Sequence, residues 1–404
     1  MNFSSIVNQL NNCVSRGNGK GKNVYFYHGS LPSVLPSLSF KLAPYGKIAI
    51  LYSESSYQQF GIELGNQLKK VFNSVTHVIL PDLFTDNVEN YSHLFNLAED
   101  IRLIVATDKK FFGASKYFAN QRGIPCVLYL CSLNCYGFLS QKLTVQNGDK
   151  QDIVNATANQ HVIIDYESAI KRTNFADAYA FVVSHSLALV DYKINTEIFG
   201  IKPDNKSLIF AKKIITSTFD LPLQEKTRSQ LIICKNLLCL EIFNFLHSDK
   251  IYKSFSCYYS SKVYSQHVQM GKLLLLSAIP TAKIYQIYFT NKYDKLLDIP
   301  NYFARADFLS EKLNIKREKT LKELIFQSEQ LQEKSKQIAN LSNRILEEVK
   351  WFLSMSNCAL NAYSKFGGDL TIDQKKRANA IKHSGDVCFN GMSLVRESGI
   401  LEQI

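Results

Sequence analysis

Several kinds of residue and motif are scarce in this chain, and each scarcity closes off a class of protein. Glycine and proline number only 18 and 9 in 404 residues, which excludes collagen-like repeats and long disordered linkers. No segment reads as an uninterrupted apolar run of about 18 residues, so no membrane span is expected. The opening, MNFSSIVNQLNNCVSRGNGKGK, has neither the basic start nor the apolar stretch of a secretory signal. A cytoplasmic chain is the expectation. The nine cysteines fall at irregular intervals without a C-x-x-C pair, which argues against a zinc ribbon or redox couple and for reduced thiols. Cys126, Cys131 and Cys135 cluster at a strand end, where a free thiol acts as a small hydrophobe. Also missing are G-x-S-x-G, the Walker-type G-x-x-x-x-G-K-[ST], H-E-x-x-H and an EF-hand loop. A hydrolase elbow, a P-loop, a zincin helix and a calcium loop are thereby excluded.

What remains is an ordinary globular composition, 46% hydrophobic and 20% charged, with a net charge of +12. The lysines are scattered instead of gathered into one aromatic-interleaved stripe, so nucleic acid is not the favoured partner. The length suits two domains, each able to bury its own core. After a short opening helix come NVYFYHG, a loop with Pro32 and Pro36, KIAILYS, the helical QQFGIELGNQLKKVF, VTHVILPD, LIVATD, the helical FFGASKYFANQRG and IPCVLYLCS. Continuous apolar runs separated by helices predict a parallel sheet covered on both faces. Residues 1–158 therefore read as a Rossmann-like α/β domain of the doubly wound type.

From about residue 160 the texture changes. NFADAYAFVVSHSLALVDYKI, SQLIICKNLLCLEIFNFLH and YSQHVQMGKLLLLSAI all carry helical patterns, so residues 159–404 are expected to form an all-α helical bundle. Between 318 and 356, Leu324, Leu331, Ile338, Ile345 and Phe352 recur every seven residues, but the second seam holds Ser328, Ser335, Ser342, Val349 and Ser356. That weak seam favours a long amphipathic helix, or a helix pair, packed on its own domain over an oligomerising coil.

The order of segments, with GKIAILYSESSYQQFGIELGNQL, LIVATDKKFFGASKYFANQRGIP, IPCVLYLCSLNCYGFLS, SLALVDYKI and the tail AIKHSGDVCFNGMSLVRESGILE, resembles the iron-containing alcohol dehydrogenase and dehydroquinate synthase superfamily. Within it, the chain is most similar to the glycerol-1-phosphate dehydrogenase branch. The resemblance implies an NAD(P)-binding α/β domain followed by a helical metal and substrate domain.

The departures fall on the residues that carry the chemistry. A triple glycine of the family, which lets the backbone approach the cofactor diphosphate, is matched here by Thr107, Asp108 and Lys109. Side chains at that turn are expected to crowd the diphosphate and Asp108 to repel it, with Lys109 or Lys110 offsetting part of the charge. The family's substrate-facing Asp falls on Tyr136, and two metal-ligand positions fall on Phe181 and Tyr264. Phe181 has no lone pair to offer. His185 lies four residues after Phe181 and His267 three after Tyr264, so with His247 they define a displaced three-histidine site as the alternative. Lys109, Lys110 and Lys116 are the candidate contacts for a phosphorylated ligand.

The resulting expectation is a divergent glycerol-1-phosphate dehydrogenase-like pseudoenzyme that binds or scaffolds without a cofactor. Its partner would be a protein or a phosphorylated small molecule, with homo-oligomerisation left open. The alternative is an active NAD(P)-dependent oxidoreductase acting on a phosphorylated polyol, with zinc in a rebuilt site.

Overall fold

A computed structural model describes residues 3–397 apart from 16–23, 45, 71–73, 148–149, 157–159, 199–204, 247–254, 265–268, 292–301, 314–315 and 387–390. The chain divides into two compact units, Met1–Thr173 and Asn174–Ile404. The first runs past the boundary expected at residue 158, because Gln160–Ile164 is a strand of the main sheet and not the start of the helical domain.

Unit 1 opens with α1 (Phe3–Ser15), β1 (Val24–His28), α2 (Leu31–Leu42) and β2 (Lys47–Tyr52). A one-turn α3 (Glu54–Ser56) passes through a wide turn at Tyr57–Gly61 into α4 (Ile62–Lys69), followed by β3 (Val75–Ile79), α5 (Val88–Phe95) and β4 (Ile101–Ala106). Then come α6 (Phe112–Arg122), β5 (Cys126–Leu130), a hairpin of β6 (Lys142–Asn147) and β7 (Lys150–Asn155), β8 (Gln160–Ile164) and α7 (Tyr166–Arg172). Six strands form one sheet in the order β1-β8-β5-β4-β2-β3, with every neighbouring pair parallel. The inner strands β5 and β8 are buried along their whole length, whereas the edge strand β1 alternates buried and exposed residues. This contrast is what a sheet covered on both faces imposes on its sequence.

The expected loop around Pro32 and Pro36 is instead the helix α2. Pro32 sits in its first turn, where a missing N–H costs nothing, and Pro36 removes a single hydrogen bond one turn later. Leu31, Leu35 and Leu38 on this helix pack with Ile48, Ile50 and Leu64 in the core.

Edge strand β1 has an unusual partner. The Asn11 side chain on α1 donates to the Phe26 carbonyl (2.9 Å) and accepts from the Phe26 N–H (2.8 Å), as a neighbouring strand would. A carboxamide thus blunts an edge that would otherwise template pairing with another chain. Asn11→Leu is expected to expose that edge and raise the dimer or aggregate fraction at elevated temperature, read by light scattering. A variant that stays as monodisperse as the wild type would show that the edge is protected by something else.

Unit 2 is helical: α8 (Phe175–Ile198), α9 (Asn205–Phe219), α10 (Lys226–Leu246), α11 (Ser256–Tyr264), α12 (Met270–Asn291), α13 (Tyr302–Leu313), α14 (Arg317–Lys365), α15 (Gln374–Ser384) and α16 (Gly391–Glu397). Helix α8 is buried on nearly every face and packs against α12 and α14. Helix α10 is long and apolar enough to cross a membrane by composition, but most of it is buried among the helices of the unit. The heptad region is one 49-residue helix, α14. Leu324, Leu331, Ile345 and Phe352 are fully buried, as the amphipathic reading requires.

A buried carboxylate fastens three of these helices. Asp191 on α8 accepts hydrogen bonds from the Ser256 N–H (2.8 Å), the Ser256 hydroxyl (2.7 Å) and the Tyr285 hydroxyl. Ser256 opens α11 and Tyr285 lies on α12, so one side chain ties α8 to both.

Candidate nucleotide-binding crevice

The strand order of unit 1 locates the crevice. From β2 the chain moves outward to β3, whereas from β4 it moves the opposite way to β5. The carboxyl ends of β2 and β4 are adjacent and their following segments diverge, which makes this the topological switch point where open α/β sheets bind ligands.

Short polar residues fill the rim there. Ser53 caps α3, accepting from the Ser56 N–H (3.2 Å), while its own N–H donates to the Ser56 hydroxyl (2.9 Å). The Ser55 hydroxyl lies 3.1 Å from that of Ser53. Across the switch point the Thr107 N–H and hydroxyl both donate to the Leu51 carbonyl (3.2 and 2.8 Å), and the Thr107 hydroxyl meets that of Ser56 at 3.1 Å. Thr107 is only 1% exposed. Its side chain is folded between β2 and α3, so it does not crowd the crevice as its place in the degenerate glycine turn suggested.

Asp108 has extended backbone and caps a single 3-10 turn, Lys109–Phe111, by accepting from the Lys110 N–H at 3.2 Å. The turn ahead of α6 therefore carries an internal anion at its N–H groups, the position a helix N-terminus would offer to phosphate. Lys109 is exposed and reaches the Asn134 carbonyl at 3.5 Å. The Lys110 ammonium pairs with Asp82 (2.9 Å).

Lys116, expected as a third phosphate contact, is 1% exposed and donates to the carbonyls of Phe138 (2.9 Å) and Ser140 (2.8 Å). It organises the turn after β5, and its charge is satisfied inside the fold. Tyr136 stands in the same turn, its hydroxyl accepting from Asn134 at 2.9 Å.

Further along the carboxyl rim, the Tyr129 hydroxyl donates to Asp165 at 2.6 Å, and Asp165 caps α7 by accepting from the N–H and hydroxyl of Ser168. Burial alone would raise the Asp165 carboxyl, but these donors outweigh it and hold it below the usual carboxylate range. Arg172 bridges the Cys131 thiol (3.6 Å) and the Gln59 side chain. Burial raises the Cys131 thiol although Arg172 opposes the shift. The sequence reading missed Ser53, Ser56 and Arg172. Ser-Glu-Ser-Ser directly after KIAILY was the available signal, since serine after a strand is a favoured helix N-cap and an acidic residue follows it in the first turn.

In unit 2, Phe181 is 1% exposed and its ring lies 4.6 Å from that of His185. The His185 ring is fully buried, with Nδ1 2.7 Å from the Phe181 carbonyl and Phe255 on another side at 5.3 Å. Burial pushes the imidazole down to about 4, so it is neutral at physiological pH. The Tyr264 hydroxyl accepts from the Asp373 N–H at 3.2 Å. His247 and His267 lie outside the described residues. Neither Phe181 nor the hydrogen-bonded Tyr264 is one of the carboxylate or imidazole donors that a catalytic divalent metal usually takes.

One carboxylate in this region escaped the sequence reading. Asp177, in the first turn of α8 and 3% exposed, accepts from the Lys272 N–H at 3.1 Å. Lys272 also pairs with Asp369 at 2.7 Å. A Cβ on Gly271 would lie 2.0 Å from the Asp177 carbonyl oxygen, so only glycine permits α8 and α12 to start in contact.

This layout of a parallel sheet domain followed by a helical domain is shared with solved dehydrogenases. Maleylacetate reductase from Agrobacterium tumefaciens superposes with a TM-score of 0.54 at 8% identity, over 94% of this chain and 95% of that one. Sulfoacetaldehyde reductase from Bifidobacterium kashiwanohense, in complex with NAD+, gives 0.52 at 10% identity, over 94% and 96%. An iron-containing alcohol dehydrogenase from Corynebacterium glutamicum gives 0.51 at 11% identity, over 94% and 93%. The fold is thus the two-domain fold of the iron-containing alcohol dehydrogenases. No protein-family model and no curated protein matches the sequence. These neighbours define the fold and not the glycerol-1-phosphate branch. They also overturn the expectation that no cofactor is involved, since a protein of this same fold holds NAD+. The physical reason is local: that expectation rested on a crowded turn, and Thr107 does not crowd it.

Proposed function

We propose that unit 1 binds a nicotinamide dinucleotide across the β2/β4 switch point and that the chain is an oxidoreductase acting on a phosphorylated polyol. The observation that carries this reading is the inward fold of Thr107, which leaves backbone and small hydroxyls at the rim where a glycine turn would stand. The residues present fit the group: Ser53 and Ser55 border the carboxyl end of β2, and Lys109 supplies an exposed cation. Bound there, a nicotinamide dinucleotide supplies a hydride acceptor or donor. The chain's own part is to position it, with Lys109 favouring and Asp108 opposing its diphosphate.

The balance of those two charges gives a direct test. Asp108→Asn keeps the cap, because asparagine caps helices as well as aspartate does, but removes the like charge. Loss of a repulsion worth about 1 kcal/mol near a solvated surface corresponds to roughly fivefold tighter binding. Lys109→Ala is expected to weaken binding by a similar factor. Titration of NADH and NADPH followed by nicotinamide fluorescence measures both. Failure of the unmodified protein to bind either dinucleotide would sink the proposal.

Phe181 and Tyr264 at the metal positions favour a second reading, in which the dinucleotide is bound but no turnover follows, as in a pseudoenzyme that serves a protein partner. Assay with glycerol phosphate and dihydroxyacetone phosphate separates the two readings. In the active reading, zinc would be held by His185, His247 and His267, and changing any of them to alanine would lower the metal content of the purified protein.

A further inference from the structure

Helices α8, α9 and α14 enclose a groove of about 260 Å3 that the proposed chemistry does not use. Its surface is apolar, with Leu189 and Val190 from α8, Leu208, Ile209 and Ile215 from α9, and Trp351 from α14. Ile209 is 71% exposed and the neighbouring Phe210 39%, an apolar surface of the kind that marks ligand grooves. The volume is close to the lower end of the roughly 300–1,000 Å3 of small-molecule sites.

The groove also carries a defined charge. Glu348 receives two ammonium groups, Lys212 at 2.8 Å and Lys193 at 3.6 Å. The Lys212 ammonium also lies 5.5 Å from the centre of the Trp351 ring. Two cations against one carboxylate leave one positive charge at a surface otherwise made of hydrocarbon. Such a site selects against a cation, whereas a single anionic head complements it and the tail replaces water on the apolar walls.

We propose that this groove binds a single-chain amphipathic monoanion of the fatty-carboxylate class. The tail lies along Leu189, Leu208, Ile209 and Trp351, and the carboxylate pairs with the positive charge that Lys193 and Lys212 retain beside Glu348. The site is built wholly from unit 2 and is independent of dinucleotide binding.

Trp351 is the only tryptophan in the chain, so its emission reports on the groove. The full-length protein is titrated with decanoate brominated along its chain, below micelle formation. Saturable quenching that plain decanoate reverses is expected. Decylammonium should bind at least about tenfold more weakly than decanoate, and the K193A/K212A double variant should weaken decanoate roughly tenfold while leaving decanol binding unchanged. Absence of saturable quenching, or equal binding of decylammonium and decanoate by the unmodified protein, overturns the proposal. That second comparison needs no variant, so it stands even if the double variant folds poorly.

Discussion

Acidification from pH 6.5 to pH 4 is expected to destabilise each unit of the protein by about 3 kcal/mol through one histidine. His161 on β8 is 6% exposed and His185 on α8 is fully buried. Burial lowers both from the ordinary value of 6.5 to about 4. As the pH falls through 6.5 the unfolded chain takes up a proton at each ring while the folded protein refuses it. The unfolded state is therefore the one favoured by acid, and the loss accumulates down to about pH 4, where the folded rings also protonate. His161 packs against Tyr25 and Tyr27 and meets the Tyr27 hydroxyl at 3.1 Å. His185 is enclosed by Phe181 and Phe255. Urea unfolding at pH 7, 6 and 5 tests this, because ordinary carboxylates contribute little above pH 5. His161→Phe should flatten the pH dependence of the transition of unit 1, and His185→Phe that of unit 2. A midpoint that does not move between pH 7 and pH 5 would show that both rings accept protons in place.

The second large effect is expected at Asp191. Asp191→Ala removes the acceptor of the Ser256 N–H, the Ser256 hydroxyl and the Tyr285 hydroxyl at once, in a site without access to solvent. Hydrogen bonds to a charged group contribute more than neutral ones, and stranded buried donors carry their own penalty, so a loss of about 3–5 kcal/mol is expected. Asp191→Asn, which keeps the volume and one acceptor oxygen, should lose roughly half as much. Denaturant unfolding of the full-length variants measures both. An alanine variant within about 1 kcal/mol of the parent would mean that water or a neighbouring group replaces the carboxylate.

The fold was legible because burial on both faces writes itself into composition. IAILY, LIVA and CVLYL are apolar without interruption and lie in β2, β4 and β5. The seven-residue recurrence from Leu324 to Phe352 became one long helix with that seam buried. Less was legible where one residue type serves two geometries. Proline at positions 32 and 36 reads as a loop, yet it also suits the opening of a helix. The hairpin β6–β7 was not read, although the dipeptide Gly-Asp between its strands is a hairpin signal in the sequence.

At the candidate site, position was legible and orientation was not. The turn at Thr107 was found from the strand before it and the helix after it, but the spacing of residues says nothing of where a hydroxyl points. Thr107 satisfies the Leu51 carbonyl, a bond that appears only once β2 and β4 lie side by side. The same holds for Lys116, whose place in the sequence suggests a ligand contact while its ammonium is taken up by the Phe138 and Ser140 carbonyls.

The placement of β8 between β1 and β5 governs when this sheet can assemble. β1 pairs only with β8, so Val24 finds its partner Gln160 more than a hundred residues later in synthesis. A nascent chain emerging from the ribosome carries β1 as an orphan until β8 is made, and such high contact order slows folding. The Asn11 carboxamide, local to β1, occupies Phe26 on the outer edge and leaves the side that awaits β8 open throughout that interval.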